Sequence, residues 1–460
     1  MNIEILCLKL RDLFSVKGID TSSAEGRSKE RYRLIALSGS SSLIAKLITS
    51  SIGLVSAPIT INYLGKEQFG LWMIISSLVL WIQLSDFGIV NGLTNALSEA
   101  YGKDDKVSAC GYISSAFIVT GFISLIFVPI ILLTSKWIPW GTLLNTKDPS
   151  MSSMANDCFL VASIAFIINL PISLINRIYI SSQLGYITNV INIFSSIISL
   201  LGILISVHMK LGMQYLILIV SSGPIIANIG AWLYMPRVLP WYKVNMGFVS
   251  MSALQRVARS SIPLFMFQIG SLLVNEMVNI VIAQVGTLNM VADYNVLLRI
   301  YLVIFSLGLG LSSPFYPAIR DAYERKEKFW IVQSIYRLIK IRTAIIFIPA
   351  VILLIGGDWL IKAWIRLPLD SQFGIIGWSV FLLTLFLSSI GSSFGEILLG
   401  LDVIWSQVWL VFLSAIIIII AMYYFIPKFG LTGIFISTAL STIYPMFWGG
   451  NKLKKVLQGI

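Results

Sequence analysis

Charge is scarce in this 460-residue chain: Asp, Glu, Lys and Arg together make up 12% of it, against 57% hydrophobic residues. No soluble domain of this size could keep that balance in water without aggregating, so a water-solvated globule is excluded and the bilayer is the solvent. Histidine occurs once, at His208, which leaves His-based metal sites and Ser-His-Asp triads without parts. His208 itself reads as an interfacial residue near the end of a span. Cys7, Cys110 and Cys158 have neither the even count nor the spacing of a disulfide framework or a CxxC metal site, and read as inert thiols. Neither a Walker A sequence nor a Rossmann glycine pattern occurs, so the chain has no nucleotide motor of its own. No cofactor, metal site or enzyme chemistry is expected.

What the chain does have is apolar length. Runs of twenty or more apolar residues recur from end to end, each able to cross a hydrocarbon core of roughly 30 Å as a helix. Helices satisfy their own backbone polar groups in lipid, so the fold class is an all-α polytopic membrane protein with about twelve transmembrane helices. The spacing predicts spans over Leu34 to Tyr63, Phe69 to Val90, Val107 to Leu133, Cys158 to Ile180, Tyr186 to Val207 and Tyr215 to Met235. Six more follow over Val257 to Val285, Tyr294 to Phe315, Ile331 to Ile355, Phe373 to Leu399, Ile404 to Ile426 and Leu431 to Trp448. Trp72, Trp81, Trp137, Trp140, Trp241 and Trp359 fall near span ends and read as interfacial belts.

The formal net charge of +12 does not point to nucleic acid, because the basic residues are spread over short loops rather than gathered on one wet face. They follow the positive-inside rule instead. The side holding both termini receives Lys9, Arg11, Lys17, Arg27, Lys29, Arg31 and Arg33, and later Lys103, Lys106, Arg237, Lys243, Arg256, Arg259, Arg320 and Arg325. The other side receives only Lys66, Lys136, Lys147, Lys210, Lys362, Arg366 and Lys428. Both termini are therefore expected in the cytosol. The first residues lack the order of a cleavable signal and read as a cytosolic tail.

The chain also repeats. Ala-Leu-Ser-Glu-Ala-Tyr-Gly-Lys from Ala96 matches Ala-Ile-Arg-Asp-Ala-Tyr-Glu-Arg from Ala318, preceded at nearly equal distance by Gly65 and Gly286. Lys210-Leu211-Gly212 and Lys428-Phe429-Gly430 match again. Two parallel-repeat six-helix lobes follow, over 34–236 and 257–450, joined by a cytosolic linker at 237–256 and flanked by tails at 1–33 and 451–460. Such a repeat suits a transporter better than a passive scaffold. No ring of filter residues or re-entrant glycine loop suggests a channel.

Ionisable residues inside spans mark candidate sites, since each costs a few kcal/mol unless it faces a partner or a wet cavity. Lys46 lies on a polar stripe with Ser42, Thr49, Gly53, Ser56 and Thr60, and Arg299 on one with Asn295, Ser306, Gly310 and Ser313. Gln268, Ser271, Asn275 and Asn279 form a third, with Glu276 beside them. Lys46 and Arg299 are the cations that helix packing does not require. Arg177, Arg337, Lys340 and Arg342 lie near span ends, where long side chains can snorkel to water; Arg177 and Arg337 remain candidates for substrate. Asp86, Glu276 and Glu396 either carry a coupling proton or pair with a nearby cation.

The first hundred residues resemble the polysaccharide-export branch of the multidrug/oligosaccharidyl-lipid/polysaccharide flippase superfamily, O-antigen flippases in particular. The resemblance rests on Ile61-Asn62-Tyr63-Leu64-Gly65, Glu67-Gln68-Phe69-Gly70-Leu71-Trp72, Leu84-Ser85-Asp86-Phe87-Gly88-Ile89 and Gly102-Lys103-Asp104-Asp105. It implies a V-shaped pair of lobes around a cationic cavity, with the first and eighth helices beside a lateral opening for a lipid tail. It also implies a substrate, an undecaprenyl-pyrophosphate-linked oligosaccharide turned across a bacterial inner membrane. Membrane lipids, a polysaccharide polymerase and a chain-length regulator are the implied partners. On this resemblance Lys46 and Arg299 would hold the pyrophosphate together, at similar depth in the outer half of the membrane, unless Glu276 merely neutralises Arg299. Two other readings stay open: an ion-coupled exporter of small cations from the same superfamily, and a non-transporting scaffold for polysaccharide assembly. A cation site should be lined by carboxylates, whereas the mid-span charges here lean positive.

Overall fold

The computed structural model of the chain describes residues 24–146, 148–312, 326–369, 373–401 and 405–458, with the single residues 319, 323 and 403. The first half forms α1 (Ala24–Ile82), α2 (Ile89–Gly102), α3 (Lys106–Thr134), α4 (Pro149–Ile172), α5 (Leu174–Ser181), α6 (Gly185–His208) and α7 (Met213–Val238). The second forms α8 (Met251–Asn275), α9 (Met277–Val285), α10 (Leu288–Ser312), α11 (Lys328–Ile365), α12 (Gly374–Gly400) and α13 (Trp405–Gln458). Polar side chains set several starts: Asp105 accepts from Ser108 N at 3.0 Å, Asp148 from Ser150 N at 2.9 Å ahead of Pro149, and Ser250 from Ala253 N at 3.1 Å. Each satisfies a donor that the first helical turn cannot.

Among the described residues, ten helical stretches are long and apolar enough to cross a membrane. Two of them turn back on themselves. Gly53 and Phe69 would stand about 24 Å apart in a straight helix, yet Arg299 touches both, so α1 reverses at Gly65, whose φ of 79° suits glycine. Ser414 donates to the Ser441 carbonyl at 3.2 Å across 27 residues, so α13 reverses at Gly430, where φ is 54°. Ten stretches with two reversals make twelve crossings, as the apolar runs predict. The repeat shows in the turns: Gly65 and Gly286 close the first hairpin of each lobe, and the positive-φ residues Lys210 and Gly430 close the last. Most of the second copy of the Ala96 motif lies outside the described residues, as does Ser313.

Boundaries differ from the sequence expectation in three places. The first helix begins at Ala24, ten residues before Leu34. The second span ends at Ile82 in a tight turn, and Ile89–Gly102 forms a separate helix whose apolar side (Leu93, Ala96, Leu97, Ala100) is buried. The seventh span breaks at Glu276 between α8 and α9. Of the expected interfacial tryptophans, Trp137 and Trp359 are exposed, but Trp140 is buried against Phe159 in the core, because the loop after α3 folds inward.

Packing is uneven along the membrane normal. Around the Gly65, Gly286 and Gly430 turns, one continuous apolar core joins both lobes, from Ile61, Phe69 and Leu71 to Ala283, Leu288, Ile365, Phe381 and Leu431. At the opposite end the core divides, with Leu93, Leu97, Ile175 and Tyr179 of lobe one joined by Val257 of α8 in one cluster and Ile331, Leu338, Leu398 and Leu453 in the other. The apolar core is thus continuous across the lobes at one end, the shut end, and divided at the other, the split end. At the shut end the backbones themselves meet: a Cβ on Gly70 would lie 2.0 Å from the Leu288 carbonyl oxygen. At the split end, α8 leans on α2, with Phe87 beside Phe265 and Asn91 Nδ2 donating to Gln268 Oε1 at 3.0 Å. The segment between α7 and α8 is stitched to α3: the amides of Lys243, Asn245 and Ser250 donate to Cys110 Sγ, Ser114 Oγ and Ser115 Oγ.

Candidate functional site

The seam between the lobes is built around Arg299, on α10 and about 16 Å along the helix from its shut-end start. Its Nη1 donates to the Gly53 carbonyl and to Ser56 Oγ at 3.3 Å, and the guanidinium lies over the Phe69 ring at 5.8 Å. These contacts place it against the polar stripe of α1 that the sequence singles out. One turn nearer the shut end, Asn295 donates to Asn279 at 2.8 Å and Asn279 to Ser77 at 2.8 Å, carrying the polar seam across to the second arm of α1. Glu276 faces Ser77 and, among the described residues, makes no ion pair with Arg299. Nη2 and Nε of Arg299 likewise find no protein acceptor among the described residues, so a largely buried cation keeps donors in hand. Such a group suits a multiply charged anion, which accepts charge-assisted hydrogen bonds on several oxygens.

Lys46 does not share that depth. It stands 19 residues before Gly65, about 28 Å along the helix, while Arg299 meets the same helix at Gly53 and Ser56. The two cations are therefore staggered by about 10–15 Å. The offset arises because α1 starts earlier than its apolar run does, so counting from Leu34 puts Lys46 too deep. Lys46 is exposed on the split side and lies within electrostatic reach of Glu396.

Glu396 is already engaged, 2.7 Å from Arg342 Nη2. Arg342 is 2% exposed and also donates to the Ser389 carbonyl, Ser392 Oγ and Ser393 Oγ at 3.1, 2.9 and 2.8 Å. It does not snorkel: α10 covers it, with Gly308 leaving room for its methylenes. Arg337, one face away on α11, is exposed. Asp86 sits in the turn that breaks the second span, where its Oδ1 accepts from Gly88 N at 2.9 Å and holds the start of α2. Arg177 lines the same lobe-one cavity as Asp86.

A further pair was not legible in the sequence. Lys66 Nζ lies 2.7 Å from Asp293 Oδ1 and 2.5 Å from the Pro368 carbonyl, at the shut end and between lobes. Asn62 Nδ2 donates to the Ile365 carbonyl at 2.9 Å and Trp364 Nε1 to the Leu54 carbonyl at 3.0 Å beside it. Lys66 reads as one more loop cation, and only an intramembrane acid opposite, 227 positions later, could have marked it.

Comparisons with known proteins agree with this architecture. An inward-facing structure of a multidrug resistance MATE family transporter of the MOP superfamily superposes with a TM-score of 0.71 at 16% identity, over 90% of this chain and 95% of that one. A MOP superfamily transporter from Pyrococcus furiosus, whose structure is described by the reversed polarity of its binding pocket, gives 0.66 at 14% identity over 92% and 96%. In sequence, the chain is 23% identical to a Salmonella typhimurium protein named as an O-antigen transporter, over 89% of this chain and 94% of that one. It is 25% identical to a Yersinia pseudotuberculosis protein named as an O-antigen export protein, over 64% and 67%. Residues 36–323, well over half the length, match the model of one family, and with the twelve-crossing fold around it the chain belongs to the polysaccharide biosynthesis protein family.

Proposed function

We propose that this chain is a flippase that turns an undecaprenyl-pyrophosphate-linked oligosaccharide from the cytosolic to the periplasmic leaflet of a bacterial inner membrane by alternating access. The observation that carries the reading is Arg299, a cation at the lobe seam that pairs with no carboxylate among the described residues. The relatives named for O-antigen transport and export give the oligosaccharide its class. The split end is assigned to the cytosol, since it holds the cations Lys103, Lys106, Lys243 and Arg256 and the last turn of α13 with Lys454 and Lys455. In this orientation the protein waits open to the cytosol, with Lys46 on the way in and the pyrophosphate passing to Arg299. Closing the split end and parting the shut end then delivers the headgroup outside. A polymerase and a chain-length regulator would act on the product.

The small-cation exporter is less well supported, because two of the three candidate carboxylates are occupied: Glu396 by Arg342 and Asp86 by the α2 backbone. In a bacterium that makes the cognate lipid-linked repeat unit, deleting the protein should remove surface polysaccharide and leave the repeat unit on the cytosolic leaflet. Unchanged surface polysaccharide after deletion would overturn the reading. Cysteines at Ser153 and Met246, both exposed, should label from outside only at position 153.

A further inference from the structure

Lobe one contains a cavity of about 350 Å³ lined by Asp86, Asn169, Asn176, Arg177, Thr188 and Asn192 among others. It lies toward the split end: Asp86 is 21 residues past Gly65, about 31 Å of chain, close to the depth of Lys46. One wall is a relay of three amides. Asn176 Nδ2 donates to Asn228 Oδ1 at 2.9 Å, and Asn228 Nδ2 donates to Asn169 Oδ1 at 3.0 Å. Asn228 is buried behind them, so the relay fixes which way each amide points.

That orientation leaves a gap. Asn176 Oδ1 is a buried acceptor with no hydrogen-bond partner among the described residues, a state that native interiors rarely tolerate without a ligand or water. Next to it in sequence, the Arg177 guanidinium makes no ion pair and no hydrogen bond among the described residues. Asp86 lies across the cavity, near enough to act on Arg177 through space but not in ion-pair contact. The opposed charges leave the cavity without net charge, which disfavours both a bare cation and a pyrophosphate as occupant.

The chemistry needed is a group that accepts from Arg177 and donates to Asn176 Oδ1. A hydroxyl does both, and a ring bearing several hydroxyls does so at several points at once. The volume is at the small end of the roughly 300–1,000 Å³ typical of small-molecule sites, which suits one or two sugar rings. Resting on the flippase reading above, we propose that this cavity is a sugar subsite, which takes a hexose unit of the oligosaccharide into lobe one while the phosphate end occupies the seam at Arg299. Oligosaccharide selection then belongs to lobe one, apart from the groups that hold the phosphates.

The full-length protein in detergent, probed by saturation-transfer NMR with free glucose, galactose and N-acetylglucosamine, tests this. At least one sugar should receive saturation, and the signal should fall to background in Asn176→Leu and Arg177→Met. The exposed-site control Lys136→Gln should retain it. Thermal unfolding of each variant identifies any that fail to fold. No signal with any sugar, or a signal unchanged in both folded variants, would mean a water-filled cavity only and overturn the proposal. Export separates this from the flippase reading. If deletion of the protein abolishes surface polysaccharide while Asn176→Leu exports normally, the subsite alone falls; if deletion changes nothing, the flippase reading falls.

Discussion

Lys66 and Asp293 form an ion pair at 2.7 Å between the two lobes, with side chains only 12% and 3% exposed. In the sequence they are 227 positions apart. Removing one partner from a buried pair leaves the other charge uncompensated, at a cost of about 3–5 kcal/mol, whereas replacing both with apolar groups is often neutral. Lys66→Met and Asp293→Leu should each lower the thermal unfolding temperature of the purified protein, and the double variant should recover most of the loss. Additive losses in the double variant would show that the pair does not hold the shut end.

The same end supplies a test of movement. Asn62 and Ile365 are joined by a 2.9 Å hydrogen bond across the lobes, so cysteines at these positions in a background without native cysteine should crosslink with a short bis-thiol reagent. The crosslinked protein should be trapped with the shut end closed and should export nothing, while reduction of a cleavable linker restores export. Full export by the crosslinked form would rule out parting of the lobes there.

Arg299 and Glu276 are both named by the sequence, but the structure separates them. Arg299→Gln should abolish surface polysaccharide at normal protein abundance, and adding Glu276→Gln should not restore it, since no ion pair links the two. Recovery of both abundance and export in the double variant would make Arg299 a structural partner of Glu276 instead.

At the split end, the Lys103 and Arg256 side chains hold the Glu99 carboxyl down, from its usual 4.5 to about 2. A carboxyl with a lowered value in the folded state favours folding when ionised. The attachment of α8 to α2 through Arg256 is thus fully in place above about pH 4.5 and is lost as pH falls toward 2. The Glu99 side chain is exposed, so salt should weaken the contact too. The hydrogen-exchange protection of residues 251–256, corrected for intrinsic exchange at each pH, should fall on acidification in wild type and be lower already at neutral pH in Glu99→Gln. An unchanged exchange rate in that variant would show that the contact does not anchor α8.

Much of this molecule was legible in the sequence because membrane constraints act locally. Each apolar run had to be a helix, and the paired glycines at 65 and 286 had to mark equivalent turns. The break at Gln83–Asp86 was not legible, since Leu84 and Ile89 continue the apolar run and only the Asp86 cap and the left-handed Phe87 interrupt it. Nor was the burial of Arg342, whose position near a span end fits snorkelling equally well until the serines of α12 are brought beside it. Side-chain partners far apart in the chain leave no periodicity to read. Lys66 with Asp293 and Asn176 with Asn228 both belong to that class.

The contact between Gly70 and the Leu288 carbonyl fixes where the lobes come to rest. Ion pairs and hydrogen bonds also cross the shut end, but the Gly70 approach is main chain against main chain, with no rotamer to yield. A single methyl at position 70 is therefore a doorstop. It would hold the shut end ajar without touching a charged group, biasing the resting population away from the form in which that end is closed.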